Sequence, residues 1–363
     1  VVEIVKCKRI YLARKTIFCS KRFTKQQAIE EVAHLEKIQH SHIVRVIGTY
    51  TIANEFSILL YPVAEYNLES FLQELRDHCD AIDTVRPGYL MALKDFFGCL
   101  SNAVAFIHSK MTKHMDIKPK NILVRKVYGK SSSHQSPWKV YIADFGIARS
   151  YSSIAASETE GPTMFTRRYA APEVVEQDRR GLQADIFSLG CVFVEIGATI
   201  AQIHPNGTVH SAMSVPVEDL DERLASNGNS DSSYHANIRT VQEFIHQLNL
   251  GKILRYYLQF RLRYAHDIIA QMLEPYPTNR PTARVVAAYF GGGNTCCQDL
   301  PDPLEDNPPK MHEEFDRHLK DHNMWGKLNK VHRPPSPVNL GGEKNSSYRM
   351  SSLSLHSTSN LNY

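Results

Sequence analysis

The chain has 363 residues, 42% of them hydrophobic, with 42 Lys and Arg against 38 Asp and Glu and a formal net charge of +4. This is enough apolar sequence for a sizeable core in one large domain or two ordinary ones, and the near-balanced charge gives no ground for a nucleic acid or a membrane surface as partner. The seven cysteines show no CxxC or Cys/His zinc spacing, and Lys6, Lys8, Arg9, Arg14 and Lys15 break up the start as a signal peptide, so a reducing intracellular setting, cytoplasmic or nuclear, is expected.

In chain order, Val1–Val5 and Ile10–Ile17 read as strands joined by a basic turn. The chain opens on Val1, inside the first strand pattern, and is read as a fragment. A helix follows: Thr24 is its N-cap candidate, Gln27 completes a capping box, and Ile29, Val32, Leu35 and Ile38 recur at helical spacing. Ile43–Tyr50 and Phe56–Tyr61 read as further strands. Beyond residue 62 the pattern turns mainly helical. Leu90, Leu93, Phe97, Leu100, Val104 and Ile107 line one long apolar face. Ile122–Val124 and Val140–Ala143 read as short strands around a polar loop, Lys126–Trp138. Ile186–Ile203 is apolar enough for a membrane span by length, but Glu195 near its centre and Asp185 before it favour a helix buried inside a domain, with no membrane span expected. A second polar insert lies at Ser226–Asn237. After Gly291-Gly292-Gly293 the composition shifts to Pro, Ser, Asn and charge, as in a flexible tail; Met311–Leu328 has only a weak helical pattern. The division is therefore 1–61 strand-rich, 62–290 mainly helical, and 291–363 tail, an α+β chain.

Three ordered signatures carry chemistry: His114-Met115-Asp116-Ile117-Lys118-Pro119-Lys120-Asn121, then Asp144-Phe145-Gly146, then Ala171-Pro172-Glu173. A lone Asp is by default a solvated charge; the ordered set is not explained that way. Together they resemble the eukaryotic protein kinase family, Ser/Thr type, over about residues 1–290. The resemblance implies a bilobal fold, with a small strand-rich N-lobe, incomplete here, and a larger helical C-lobe. It implies transfer of the γ-phosphoryl group of ATP, with Mg2+, to a protein hydroxyl. Phosphoryl transfer needs positioning and charge neutralisation more than covalent chemistry.

On that resemblance Asp116 is the base or orienting carboxylate for the substrate hydroxyl. Lys118 neutralises charge on the transferring group. Asn121 and Asp144 supply oxygens to Mg2+. Lys15, in Leu12-Ala13-Arg14-Lys15, holds the phosphates and pairs with a helix glutamate, Glu31, with Glu30 as rival. Ala13, Leu60, Tyr61, Val63 and Leu123 surround the adenine, Tyr61-Pro62-Val63 being the hinge. His114 packs with Phe145, Leu35 and Val46. Thr166 contacts Asp116 and Lys118, which points to Ser/Thr specificity. Glu173 and Arg280 form a buried ion pair, and Asp185 holds the catalytic-loop backbone.

Two departures stand out. The Gly-rich loop over the phosphates is missing, the chain starting just after it, so the fragment is expected to bind ATP poorly. Met115 replaces an arginine that would clamp a phosphorylated activation segment, so phosphorylation between Ser150 and Thr166 is not expected to act through that clamp. Asn67 and Lys120 stand where arginine-directed kinases carry acids, which disfavours basic substrate motifs. The rival reading, a pseudokinase acting as a binding scaffold, gains from both departures and loses from the presence of Lys15, Asp116, Asn121 and Asp144. Substrate, pathway and oligomeric state are not encoded in any recognisable pattern.

Overall fold

The computed structural model describes residues 2–7, 10–19, 29, 32–33, 36, 38–77, 86–127, 136–145, 149–150, 165–178, 180–203, 216–226, 231–248, 250 and 264–291. Glu30, Glu31, Thr24, Gln27, Leu35, Gly146, the phosphorylatable residues of 151–164 and the tail beyond 291 lie outside them. The described residues form two compact units, one from Val1–Gln39 and Val44–Val63, the other from His40–Ile43 and the chain from Ala64 on.

The first unit is a four-stranded antiparallel sheet in the order β1-β2-β4-β3, with β1 Val2–Cys7, β2 Ile10–Phe18, β3 Arg45–Ile52 and β4 Glu55–Tyr61. Alternating residues put Ile17, Phe56, Ile58, Leu60 and Val46 on one side, where they pack with Val32 from the intervening helical stretch. All four predicted strands are present, each displaced or extended by one or two residues. Apolar alternation marks which face is buried, not where pairing stops. Ile43 illustrates this. It is read as the start of β3, yet it leaves the sheet to form a parallel bridge with Ile142. His42 fixes the departure, accepting from Ile142 N at 2.8 Å through its carbonyl and bonding Val140 O through Nδ1 at 2.8 Å.

The second unit is built on helices. Helix α1 (Leu68–Asp77) starts where Asn67 Oδ1 accepts from Ser70 N at 2.9 Å, and it buries Leu68, Phe71, Leu72 and Leu75. Helix α2 (Arg86–Ser109) buries all six residues of its predicted face. A single turn, α3 (Pro172–Val175), precedes α4 (Gln183–Ile203), which is apolar almost all round and buried almost all round. Helices α5 (Pro216–Ala225), α6 (Ile238–Leu248), α7 (Ala265–Met272) and α8 (Ala283–Phe290) follow. The rings of Phe97, Phe193 and Phe290 join α2, α4 and α8, with centroids 4.7 to 5.3 Å apart. Gly190 lets α7 lie close on α4: a Cβ there would stand 3.0 Å from Met272 Cβ.

Short strands frame the residues that matter for function. Strand β6 (Thr112–Lys113) pairs with β9 (Arg149–Ser150), and β5 (Tyr66–Asn67), β7 (Ile122–Lys126) and β8 (Trp138–Ile142) form a small sheet in the order β5-β7-β8. The segment 114–121 therefore runs from one paired strand to the next, anchored at both ends.

Candidate active site

Residues 114–121 are held by their own backbone partners before any ligand is considered. Asp185, from the first turn of α4, accepts from His114 N and Met115 N, both at 2.8 Å. His108 Nε2 donates to the same carboxylate at 3.0 Å. Burial pushes the Asp185 carboxyl up, but the hydrogen bonds from His108 and from the His114 amide outweigh it and hold the group below the usual range. Those two amide bonds fix Met115 at φ 67, a left-handed conformation that a side-chain-bearing residue adopts only under constraint.

His114 is structural. Its ring is fully buried against Phe145, centroids 4.6 Å apart, with Nε2 3.0 Å from Ala143 O and Nδ1 accepting from Asp116 N at 3.3 Å. Burial lowers its pKa, which favours the neutral ring.

Asp116 collects three side-chain donors. Lys118 Nζ lies 2.7 Å from Oδ2, Asn121 Nδ2 2.8 Å from Oδ2, and Thr166 Oγ1 donates to Oδ1 at 2.8 Å. Lys118 Nζ also donates to Thr166 Oγ1 at 2.6 Å. Four residues from two distant segments are thereby locked in one geometry, the preorganisation that electrostatic catalysis requires.

Asn121 spends its amide donors on Asp116, at Oδ2 and at the backbone carbonyl (2.9 Å), which turns Oδ1 the other way. Its own carbonyl accepts from Ala143 N at 2.9 Å, so Asp144 follows directly beside it. Asp144 is exposed, with φ 61. An amide oxygen and an exposed carboxylate at the facing ends of β7 and β8 are hard oxygen donors, and they fit Mg2+.

The segment after Thr166 is tied down by contacts that sequence reading missed. Tyr169 and Tyr234 both donate to Glu195 Oε1, at 2.9 and 3.1 Å. Arg168 bonds Asp221 at 2.6 Å and Arg167 bonds Asp231 at 2.8 Å. Glu195 stood out in the sequence only as a carboxylate interrupting an apolar run; its partners lie 26 and 39 residues away. The Glu173–Arg280 pair is buried and bidentate, at 2.7 and 2.8 Å.

In the first unit Ala13 and Lys15 lie two apart on β2, with Ala13 opposite Leu60 and Lys15 opposite Ile58, so Ala13, Lys15 and Leu60 share one sheet face. Tyr61 ends β4, and Val63 follows two residues on. Leu123 lies on β7, opposite Tyr141. Glu31 falls outside the described residues.

Residues 1–289 match the protein kinase domain, and the chain belongs to that family. It is 30% identical over 171 residues to Cyclin-dependent kinase E-1 of Arabidopsis thaliana, covering 47% of this chain and 34% of that protein. It is 31% identical over 175 residues to Cyclin-dependent kinase 4 of Mus musculus, covering 46% and 51%. With the probable CTD kinase subunit alpha homolog of Encephalitozoon cuniculi it shares 29% identity over 234 residues, covering 58% and 64%. The chain thus spans between a third and just under two thirds of the length of these relatives.

Proposed function

We propose that the protein transfers the γ-phosphoryl group of ATP to Ser or Thr hydroxyls of a protein substrate. The observation that carries this reading is the Asp116–Lys118–Thr166–Asn121 hydrogen-bonded set. Asp116 orients the incoming hydroxyl and takes up its proton, for which a carboxylate held by three donors is already aimed. Lys118 places a cation beside that carboxylate, where charge on the transferring group develops. Thr166 joins the two and opens the segment, Thr166 to Glu173, that would receive the peptide; its contacts with Asp116 and Lys118 support Ser/Thr over Tyr acceptors.

Asn121 and Asp144 are the residues assigned to Mg2+, which when bound neutralises the phosphate oxygens. Lys15 and Glu31 are assigned to phosphate positioning, and Ala13, Leu60, Tyr61, Val63 and Leu123 to the adenine. Cys7, Cys19, Cys99 and Cys191 are free thiols, which supports a reducing intracellular location.

The test is label transfer from Mg-ATP carrying a labelled γ-phosphate to a generic protein substrate. Label on Ser or Thr that falls by at least about 100-fold in both Asp116→Asn and Asp144→Ala supports the assignment. No label above these variants in folded full-length protein rejects enzymatic function and leaves a binding scaffold.

A further inference from the structure

Helices α6 and α7 bring together three side chains that the phosphoryl-transfer reading does not use. His246 lies in the last turn of α6, and His266 and Asp267 lie in the first turn of α7. One ligand atom from each, two imidazole nitrogens and a carboxylate oxygen, lie within 4.8 Å of one another. His266 Nε2 is 3.6 Å from Asp267 Oδ2, and the two imidazole rings meet edge to face with centroids 5.0 Å apart.

The helix packing fixes this spacing. Gln242 stands one turn before His246 on the same face of α6, and its Nε2 donates to Ala270 O at 3.0 Å, one turn after His266. Asp267 is buried and His266 largely so, whereas His246 is exposed. Two groups are therefore held in place, and the third is free to swing on its side-chain torsions. Ligand bonds of about 2.0 to 2.2 Å in a tetrahedral site put neighbouring donors roughly 3.3 Å apart, so a rotation of His246 closes the remaining distance.

We propose that His246, His266 and Asp267 form a binding site for a divalent transition-metal ion, with Zn2+ the best chemical match. Two imidazoles and one carboxylate are the donors Zn2+ takes readily. Mg2+ and Ca2+ favour all-oxygen sets, and there is no thiolate among the three to select a softer ion. Three protein ligands leave a fourth position for water or for a donor from a binding partner. The bound ion cross-links α6 to α7 and stabilises the folded form by mass action. None of this depends on the kinase reading, since all three residues lie outside the proposed reacting groups.

Titration of the full chain with Co2+, as a spectroscopic substitute for Zn2+, tests the site. One equivalent is expected to give a tetrahedral or five-coordinate visible spectrum without a thiolate charge-transfer band, and Zn2+ is expected to displace it and raise Tm. His246→Ala, at an exposed position, is expected to weaken Co2+ binding by at least about 100-fold, no less than the loss of an outer hydrogen-bond partner costs a metal site. Asp267→Asn is the second variant, expected to act in the same direction while keeping the side-chain volume. Undiminished binding in His246→Ala, a thiolate band, or no binding below millimolar Co2+ overturns the proposal.

Discussion

Thr166 is the residue on which the proposed chemistry turns, because its hydroxyl accepts from Lys118 while donating to Asp116. Thr166→Val keeps the shape and removes both bonds. It is expected to lower kcat by at least about tenfold with little change in KM for ATP, and Thr166→Ser should recover most of the loss. Unchanged kcat in the valine variant would remove the hydroxyl from the mechanism. His40 offers a separate test by pH. Burial, with the charges of His42 and Lys139 nearby, lowers its pKa from 6.5 to about 3, and its Nδ1 accepts from His42 N at 3.1 Å, a bond that protonation there would abolish. The neutral form is the folded form. Its contribution to stability is complete above pH 6.5 and is lost progressively as pH falls toward 3, by about 2 kcal/mol between pH 7 and pH 5. His40→Asn keeps an acceptor and cannot titrate. The stability advantage of the wild type over this variant is therefore expected to shrink over that interval in denaturant titrations.

At the scale of elements, the Glu173–Arg280 pair links the turn α3 to the segment before α8. Arg280 also donates to the carbonyls of Glu274, Pro275 and Gln183, so its guanidinium fork serves several anchors at once. Arg280→Lys cannot reproduce the fork and leaves Glu173 buried with a poorer partner; a loss of about 3 kcal/mol is expected by chemical denaturation. Gly190→Ala tests the contact of α4 with α7. The added methyl meets a Cβ, which cannot rotate away, and a destabilisation of about 1 to 3 kcal/mol is expected. These elements were unevenly legible in the sequence. The face of α2 was readable because six apolar residues at helical spacing have one way to be buried. The Glu173–Arg280 pair and Asp185 were found through motif resemblance, not through any local pattern. Glu195 with Tyr169 and Tyr234, His108 with Asp185, and the excursion of His40–Ile43 were not legible. Each depends on partners tens of residues apart, and a hydrogen bond leaves no periodicity in the sequence.

At the scale of the whole molecule, two helices among the described residues are long and apolar enough to cross a membrane, Gly88–Ser109 and Gln183–Ile203, and both instead lie largely inside the fold, 89% of the most apolar stretch of the second being buried. Helix α4 is thus the axis of the second unit, and Asp185 sits at its start. Asp185→Asn keeps the shape but weakens the acceptor for two backbone amides and His108. It is expected to lower both Tm and kcat, whereas Asp116→Asn should lower kcat and leave Tm nearly unchanged; equal thermal stability of the two variants would contradict the role given to Asp185. The loop that carries Asp116 is therefore aimed by a helix that contributes no group to the proposed reaction. In a deep mutational scan the inactivating substitutions will spread along α4 well beyond the reacting groups, and many should be heat-sensitive alleles, active at low temperature and silent at high. Loss of activity alone would misfile this core helix as catalytic; only a paired abundance readout separates the part that reacts from the part that aims.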